Sequence, residues 1–362
     1  MTVAKAKPGA RTKSAFDIRF DAQKIAFAPL MFQAARLLRD FGVLKALEAS
    51  KGTGLTPGEV AKQTNLSHYG ARVLLEAGLS MDLVEADGHN EARYSLSKTG
   101  WVLEHDEMTR VNMDFVQDVC YRGAFFLRES FERGRPAGLE VFGEWPTVYE
   151  ALSQLPAHVQ KSWFAFDHYY SDPAFQQALP RVFADKPKRL LDVGANTGKF
   201  AVLCAKHDPL VAVTILDLPG QLAKADANVR AAGLGGRVVG HPLNLLDHAT
   251  AFPEGFDAVW MSQFLCCFPE SDVVQLIRRA GAALAPGGSL WILDTYWDEQ
   301  ENTVATYCLH ASSLYFTCIA NGTSRMYHSD DMRACVREAG LRIVDERRTL
   351  GISHTLFQCQ KA

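Results

Sequence analysis

Arg189-Leu-Leu-Asp-Val-Gly-Ala-Asn-Thr-Gly198 is the stretch around which the rest of the chain is organised. A short apolar run ends at Asp192 and a glycine-bearing turn, and residues 199–207 then have a helical pattern. Strand, tight turn and helix in this order open a ligand-binding α/β unit. Gly194 can adopt backbone angles closed to other residues, and a helix beginning near Thr197 would direct unpaired N–H groups at a ligand. We therefore expect a polar ligand at this turn.

The residues beyond this turn alternate between strand and helix patterns. Apolar runs bounded by turn residues predict strands at residues 189–193, 211–216, 237–241, 257–261, 289–293, 342–346 and 355–360. Helical spacing predicts helices at residues 199–207, 221–232, 271–284 and 330–339. Ser329 is the expected cap of the last helix and Gly340 its terminator. This alternation predicts an α/β fold with a doubly wound, mainly parallel sheet that binds its ligand at the C-terminal strand ends.

The first third of the chain has a different pattern, in which helices precede two short strands. Thr56 and Glu59 flank Pro57 as the capping signature of a helix. Two helices are expected within residues 20–50, further helices at residues 56–63 and 69–79, and strands at residues 83–85 and 92–96. Helices followed by a hairpin are the winged-helix arrangement.

A winged helix often binds DNA, so the charge of its recognition helix matters. The segment Ser67–Ser80 would supply that helix, and it offers Arg72 as its permanent cation, beside Glu76. One cation is too few for a surface that tracks phosphates. A dimerisation or lid role is therefore favoured over DNA binding.

Composition and charge restrict the class of protein. The chain has 362 residues with a net charge of −3, which argues against a polyanion-binding surface over the whole molecule. No window approaches 18 uncharged apolar residues, and no apolar segment follows the basic N-terminus, so we expect neither a membrane span nor a secretory signal. Eight scattered cysteines without metal-site spacing predict reduced thiols in a cytoplasmic protein and no metal.

Three ligands compete for the glycine turn. A phosphate loop needs four residues between its glycines and a Lys-Ser/Thr ending, whereas three residues separate Gly194 from Gly198 and Phe200 follows Lys199. A dinucleotide fingerprint needs Gly-x-Gly-x-x-Gly, which Asn196 interrupts. The third ligand is S-adenosylmethionine, whose methionine part needs no pyrophosphate cradle.

Residues after the next two strands support S-adenosylmethionine. Asp217 follows the second strand, where a carboxylate can accept both ribose hydroxyls, and Leu218 adds an apolar shelf. After the third strand, Asn244 could bond the adenine edge while Leu245 covers its face. Together these positions favour the sulfonium cofactor over NAD.

With these residues the chain, from about residue 20 onward, resembles the class I S-adenosylmethionine-dependent methyltransferases of the small-molecule O-methyltransferase type, found in plants and in bacterial secondary metabolism. Leu190–Gly198 resembles their cofactor loop, Asp217-Leu-Pro219 their ribose-binding turn and Ala285–Asp294 their fifth strand. The winged helix resembles the family's dimerisation domain. The resemblance implies a Rossmann-like methyltransferase domain, S-adenosylmethionine as cofactor and a homodimer.

Two positions in the cofactor region depart from the family. Asn196 stands where glycine is usual and Asn244 where aspartate is usual. Asparagine enters left-handed backbone regions, and its amide oxygen still accepts a hydrogen bond. The implied cofactor residues are Asp192, Gly194, Asn196, Gly198, Asp217, Leu218, Asn244, Leu245 and Ser262.

The expected domains follow from these assignments. They are a mobile tail at residues 1–15, a winged-helix dimerisation domain at 16–105, a helical connector lining the substrate pocket at 106–185 and the cofactor-binding catalytic domain at 186–362. The connector is rich in aromatic residues, which are usually core but also suit the wall of a ligand pocket. The candidate pocket residues are Phe166, His168, Tyr170, Leu314, Tyr315 and Cys318.

The position of the catalytic base is where this sequence differs most from the family. The family commonly has a histidine after the fourth strand, and in the matching stretch, Phe264–Glu270, Cys266 takes its place and Cys267 that of its acidic neighbour. A thiol lacks the proton relay of imidazole and titrates higher unless a cation lies nearby. The candidate catalytic residues are Cys266, Asp294 and His310, with Ser324 at a second acid position and His168 and Tyr170 as further substitutes.

Three classes of function remain open. The first is O-methylation of a small aromatic metabolite, a phenol, catechol, or aromatic or polyene acid, whose acidity lets positioning supply most of the acceleration. The second is methylation of carbon, or non-methylating chemistry with the same cofactor. The third is a winged-helix regulator that senses the cofactor. Release of the homocysteine form of the cofactor with some acceptor would separate the first two classes from the third.

Overall fold

The computed structural model describes residues 13–88 and 92–362. The chain divides into two compact units, Met1–Met113 and Asp114–Ala362. Most of the expected tail at residues 1–15 lies outside the described residues, and Ala15 is the first residue of a helix. The expected connector at residues 106–185 falls mostly within the second unit.

The first unit contains the predicted helices and hairpin. Its elements are α1 (Ala15–Asp40), α2 (Val43–Ala49), α3 (Pro57–Thr64), α4 (His68–Ser80), β1 (Val84–Asp87), β2 (Arg93–Leu96), α5 (Lys98–His105) and α6 (Glu107–Phe115), which ends across the boundary. β1 and β2 pair antiparallel. Thr56 Oγ1 accepts from Glu59 N at 3.3 Å and Glu59 Oε2 accepts from Thr56 N at 2.8 Å, so the predicted capping box of α3 is confirmed. Leu38, Leu44 and Leu75 are fully buried in the core of this unit.

The second unit begins with short helical segments and one long helix. A π-helical turn at Val116–Cys120 and a 3-10 turn at Gly123–Phe126 precede α7 (Leu127–Arg133), a second 3-10 turn at Ala137–Val141, α8 (Val148–Ala151) and α9 (Ala157–Val182). α9 leads directly toward the first strand of the sheet.

The rest of the second unit alternates strands and helices, as predicted. In chain order the elements are β3 (Arg189–Val193), α10 (Lys199–His207), β4 (Ala212–Asp217), α11 (Pro219–Ala231), β5 (Val238–Pro242), β6 (Phe256–Ser262), α12 (Glu270–Ala283), β7 (Leu284–Asp294), α13 (Thr303–Tyr315), α14 (Ser329–Glu338), β8 (Leu341–Leu350) and β9 (His354–Lys361). A 3-10 turn at Leu265–Cys267 follows β6, and a π-helical turn at Phe316–Ala320 follows α13.

The sheet positions the site. Its strand order is β5-β4-β3-β6-β7-β9-β8, parallel except for β9, which is antiparallel to both neighbours. Leu190 and Leu191 of β3 and Val259 and Trp260 of β6 are fully buried, because a central parallel strand is covered on both faces. The chain runs outward from β3 through β4 and β5 and then resumes at β6 on the other side. A crevice therefore opens at the carboxyl ends of β3 and β6, where such sheets bind ligands.

One helix start agrees with the prediction and another differs. α10 begins at Lys199, as predicted for the helix at residues 199–207, and its cap is Gly198 in the left-handed region at φ +74°. Ser329 is the first residue of α14 and not its cap, because His328 Nδ1 accepts from Asp330 N at 3.1 Å. The predicted terminator Gly340 is confirmed at φ +82°.

Among the described residues, no helix combines the length and the apolar character that crossing a membrane requires. No group of three or more histidine, cysteine, aspartate or glutamate side chains in residues 13–88 and 92–362 is arranged to hold a metal ion.

Candidate active site

The glycine turn after β3 has the backbone that the sequence predicted. Gly194, Asn196 and Gly198 have φ values of +73°, +52° and +74°, so all three occupy the left-handed region. Asn196 tolerates this conformation because asparagine enters it at low cost. A Cβ built on Gly194 would lie 2.3 Å from the ring of Phe264, so that ring occupies space the sequence had suggested for a ligand.

Asp217 joins the glycine turn to the end of β4. Its Oδ2 accepts from Asn196 N at 2.8 Å and its Oδ1 accepts from Leu218 N at 2.7 Å. Burial raises the pKa of Asp217 to about 6, although both hydrogen bonds oppose this rise. Each carboxylate oxygen has a second lone pair, so the group can still accept hydroxyl donors.

Asp192, in β3, is 2% exposed, and its Oδ2 makes no hydrogen bond with any described residue. Burial and then the charge of Asp217 raise the pKa of Asp192 to about 8. Asp192 is therefore mostly protonated at neutral pH and can donate a hydrogen bond.

The remaining expected cofactor residues lie along the same edge. Ser262 ends β6, and its buried hydroxyl has no partner among the described residues. Leu245 is buried, whereas Asn244 is exposed and its Oδ1 accepts from Leu246 N at 3.0 Å. The Asn244 amide oxygen, which was expected to bind adenine, thus already accepts one hydrogen bond.

Asp167, on α9, contacts the glycine turn and was missed by the sequence analysis. Its Oδ2 accepts from Asn196 Nδ2 at 3.3 Å, and its Oδ1 accepts from Gln263 Nε2 at 3.2 Å. Burial raises the pKa of Asp167 to about 6. One feature of the sequence could have identified Asp167: it is a carboxylate in an aromatic helical stretch, directly between the candidate pocket residues Phe166 and His168.

His168 also lies at the glycine turn. Its Nε2 is 3.3 Å from Thr197 Oγ1. Burial, with the charge of Lys199, lowers the pKa of His168 to about 4. The imidazole is therefore neutral at physiological pH.

Cys266 and Asp294 are brought together, as the expected catalytic pair requires. Cys266 N donates to Asp294 Oδ2 at 3.3 Å, and Thr295 N donates to Asp294 Oδ1 at 2.9 Å. A hydrogen bond with Cys267, burial and the charge of Asp294 raise the pKa of the Cys266 thiol well above its usual value. Burial raises the pKa of Asp294 to about 6. The thiol is therefore protonated at neutral pH, and the carboxyl group titrates near neutrality.

His310 and Ser324 have different surroundings from this pair. His310 is exposed on α13 with its ring 5.1 Å from that of Trp297, and among the described residues it makes no hydrogen bond to Cys266 or Asp294. Ser324 Oγ accepts from Asn321 Nδ2 at 2.7 Å, and the same amide nitrogen donates to the carbonyl of Cys267. Ser324 is thus linked to the turn that carries Cys266.

An aromatic cluster, defined as Phe115, Trp163, Phe166, Tyr170 and Tyr315, adjoins these groups. The rings of Phe115 and Phe166 stack at 4.0 Å, and Tyr315 meets Phe115 edge-on at 4.9 Å. Trp163 Nε1 donates to the Tyr315 hydroxyl at 2.7 Å, and Tyr170 lies 5.1 Å from Phe166. The structure thus brings together three of the six expected pocket residues.

The two other pocket residues of the α13 region have different environments. Leu314 is 47% exposed. Cys318 is buried, and its Sγ donates to Gly123 O at 3.0 Å. Cys318 belongs to the same hydrophobic core as Phe115 and Tyr315, whereas Leu314 is turned largely to solvent.

Two family models match the chain. One, described as a methyltransferase domain, matches residues 166–346, which is half of the 362 residues. The chain belongs to this methyltransferase family. The other, described as a Dimerisation2-like domain, matches residues 19–94.

Curated relatives of the methyltransferase align along most of its length. It is 22% identical over 320 residues to the L-tyrosine C(3)-methyltransferase of Streptomyces lavendulae, covering 87% of this chain and 85% of the relative. It is 24% identical to the demethylspheroidene O-methyltransferase of Rhodobacter capsulatus, covering 88% and 77%. Among solved structures, the O-methyltransferase NcsB1 from neocarzinostatin biosynthesis, in complex with S-adenosylmethionine and 2-hydroxy-5-methyl naphthoic acid, superposes with a TM-score of 0.67 at 19% identity, covering 91% and 96%. The likeness to NcsB1 shows that the two proteins share a fold.

S-adenosylmethionine is the cofactor of the methyltransferase. The residues at the carboxyl edge of β3 and β6 fit it. Asp192 Oδ2, Asn196 Oδ1 and Ser262 Oγ are buried oxygens without a partner among the described residues. Buried polar atoms are normally hydrogen-bonded, so an edge with three such oxygens suits a polar ligand.

Proposed function

We propose that this methyltransferase transfers a methyl group from S-adenosylmethionine to an oxygen of a small aromatic acceptor. The proposal is supported by the relative named as an O-methyltransferase and by the naphthoic acid bound to NcsB1. The observation that carries it is the aromatic cluster, because stacked rings beside the cofactor turn suit a planar acceptor.

The cofactor would be held by the residues at the end of β3, β4 and β6. When bound, it supplies an electrophilic methyl group on a sulfonium sulfur. Asp217 accepts the ribose hydroxyls, Asn196 and Ser262 offer unpaired oxygens, and Leu245 supplies an apolar surface. The left-handed turn at Gly194, Asn196 and Gly198 would bring main chain close to the cofactor, with the Phe264 ring packed on Gly194 itself.

The acceptor would lie within the aromatic cluster. Burial raises the pKa of Tyr315, and Cys120, Cys267 and Asp167 add to this rise. The Tyr315 hydroxyl is therefore protonated at neutral pH, and it accepts a hydrogen bond from Trp163 Nε1 at 2.7 Å. An aromatic acceptor held in this cluster would be positioned beside the cofactor site, and such positioning would supply much of the acceleration.

Asp294 is the best-suited base of the three expected catalytic residues. The Cys266 thiol is protonated at neutral pH, and His310 is exposed beside Trp297. The pKa of Asp294, about 6, matches a general base that works near neutrality. Asp294 would accept the proton of the acceptor hydroxyl, and S-adenosylmethionine would supply the methyl group and leave as S-adenosylhomocysteine. An acidic acceptor oxygen reduces the demand on this weak base.

A product-identification assay tests the proposal. The purified chain is incubated with S-adenosylmethionine and a panel of phenols, catechols, aromatic acids and polyene acids, and S-adenosylhomocysteine release is measured. We expect release with at least one aromatic acceptor and, by NMR, a new methoxy or methyl ester group. A product methylated on carbon, or no release with any acceptor, contradicts the proposal.

The first unit would form the contact of a homodimer. α1 exposes large apolar side chains that its own unit leaves uncovered: Phe16, Ile18, Phe20, Ile25, Phe27 and Leu30. Exposed apolar stretches of this size usually mark interaction sites, and the match to a Dimerisation2-like domain supports a second copy as the partner. Light scattering should give the mass of a dimer, and Ile25→Lys with Leu30→Lys should give that of a monomer, whereas Lys51→Glu should not.

We also propose a cytoplasmic location. The eight free cysteines support it, because reduced thiols are typical of that compartment.

A further inference from the structure

The Asp167 carboxylate is half-buried and has weak hydrogen-bond partners. Its two donors are amide nitrogens at 3.2 and 3.3 Å, longer than the usual charge-assisted hydrogen bond. No lysine or arginine of the described residues pairs with it, since Lys199 Nζ is bound by Asp172 at 2.7 Å. His168 Nε2 is 4.0 Å away, at the limit of an ion pair. A carboxylate offers about four acceptor positions, so Asp167 can bind further donors.

Gln263 is held by His354 at its side chain and by Leu293 at its backbone, and its amide nitrogen donates to this carboxylate. His354 Nε2 lies 2.8 Å from Gln263 Oε1, and His354 is 0% exposed. Since the Gln263 oxygen needs a donor, His354 carries its proton on Nε2, and Gln263 then presents its NH2 group to Asp167. Gln263 holds a left-handed φ of +46°, which its own N–H stabilises by donating to Leu293 O at 2.9 Å. The chain from His354 through Gln263 therefore orients Asp167 and stabilises its ionised form.

Asp167 adjoins the carboxyl ends of β3 and β6, the edge at which the cofactor site is proposed. Its two partners, Asn196 and Gln263, follow the adjacent strands β3 and β6, and the ribose would lie one strand away at Asp217. Asn196 donates through Nδ2 to Asp167, and its Oδ1 is buried without a partner among the described residues. Carboxylate and amide oxygen together form two acceptors for a group with several N–H donors and a positive charge.

We propose that Asp167 and Asn196 Oδ1 bind the α-ammonium group of the methionine moiety, with Gln263 and His354 as positioning residues. The proposal rests on the cofactor site proposed above. Adenine is neutral, the ribose offers uncharged hydroxyls and the sulfonium has no N–H donor. The ammonium is therefore the cofactor group that matches both charge and donor number.

Calorimetry with three ligands tests the assignment of Asp167. S-adenosylmethionine and S-adenosylhomocysteine both contain the ammonium, whereas 5′-methylthioadenosine lacks the amino-acid part. For Asp167→Asn at pH 7.5 we expect both amino-acid ligands to bind at least about tenfold more weakly, since a hydrogen bond to a charged group is lost. The affinity for methylthioadenosine should stay within about twofold. Asp226→Asn, an exposed carboxylate paired with Arg230 on α11, is the matched control and should change none of the three.

Each contrary result has a distinct meaning. Equal weakening of all three ligands would show that Asp167 only holds the glycine turn and would overturn the assignment. Weakening of S-adenosylmethionine alone would place the carboxylate at the sulfonium, and no weakening would remove Asp167 from the site. If the wild-type chain bound none of the ligands, the proposed cofactor site itself would fail.

The positioning role needs its own measurement. His354→Phe and Gln263→Met should each weaken S-adenosylhomocysteine several-fold, and neither should weaken it further in the Asp167→Asn background. Methylthioadenosine should bind each variant as it binds the wild type. Gln263→Met supplies the test if His354→Phe does not fold. Additive losses, or equal losses for methylthioadenosine, would reduce both residues to ordinary packing.

Discussion

The backbone N–H of Asn196 donates a 2.8 Å hydrogen bond to the carboxylate of Asp217. This bond ties the glycine turn after β3 to the end of β4, two positions that are 21 residues apart in the chain. The same carboxylate is thus both a brace for the turn and the proposed acceptor of the ribose hydroxyls.

Asp217→Ala should weaken binding of S-adenosylmethionine by about 2 kcal/mol or more, because hydrogen bonds to a charged acceptor are lost. Titration calorimetry measures the loss, with Asp226→Ala on the exposed face of α11 as the control. If Asp217→Ala binds the cofactor as tightly as the wild type, the ribose lies elsewhere.

Cofactor affinity should depend on pH in a defined direction. The pKa values of Asp217 and Asp167 are both about 6, and the proposed contacts require both groups to be ionised. Affinity should therefore be nearly constant above pH 7 and should fall below pH 6, by about tenfold per pH unit for each group that must lose a proton. Calorimetry in buffers of different ionisation enthalpy should show proton release near pH 6. A flat affinity from pH 5 to pH 8 contradicts this assignment.

Asp192→Asn should stabilise the ligand-free protein at high pH. The folded-state pKa of about 8 lies above the ordinary value near 3.9, so between these two values the native state holds a proton that the unfolded state has lost, and the stability of the wild type falls as pH rises toward 8. Asparagine does not titrate, so the free energy of unfolding of the variant relative to the wild type should rise by on the order of 3 kcal/mol between pH 5.5 and pH 8.5. Denaturant unfolding at both pH values decides, and a gain of equal size at both would refute the charge explanation.

Asp294→Asn should lower kcat by about a hundredfold while leaving the Kd of S-adenosylmethionine unchanged, because a general base contributes on that order. The deficit should shrink as the acceptor becomes more acidic. Cys266→Ala serves as the comparison and should keep turnover within about threefold, since its thiol is protonated at neutral pH. A hundredfold loss in Cys266→Ala instead would make the thiol a participant.

Gly194→Ala should destabilise the fold by about 2–3 kcal/mol, because its Cβ would lie 2.3 Å from the Phe264 ring and its φ is +73°. Gly233→Ala is a matched control with φ +72° and no atom within 4 Å of the added Cβ, so it should cost about 1 kcal/mol. Urea unfolding compares the two variants. Equal losses in the free energy of unfolding would show that the Phe264 ring moves aside without energetic cost.

Local signals explain why much of the fold was predictable. The predicted strand 189–193 matches β3, and the capping box at Thr56 and the left-handed Asn196 are as expected. Each of these depends on residues that are close in sequence, such as an apolar run, a cap or a turn. Ser329 shows the limit, because its hydroxyl donates to Asp298 at 2.6 Å and leaves the cap to His328.

By itself, then, the sequence determined the order of strands and helices, the glycine turn and the family that uses it. Only the tertiary structure placed Asp167 against Gln263, 96 residues away, and Gln263 against His354, 91 residues away. It also decided that Phe264 covers Gly194 and that burial raises the pKa values of Asp192, Asp217 and Asp294. The reason is physical: strand and turn propensities act over a few neighbouring residues, whereas desolvation and side-chain hydrogen bonds depend on which distant segments the sheet brings together.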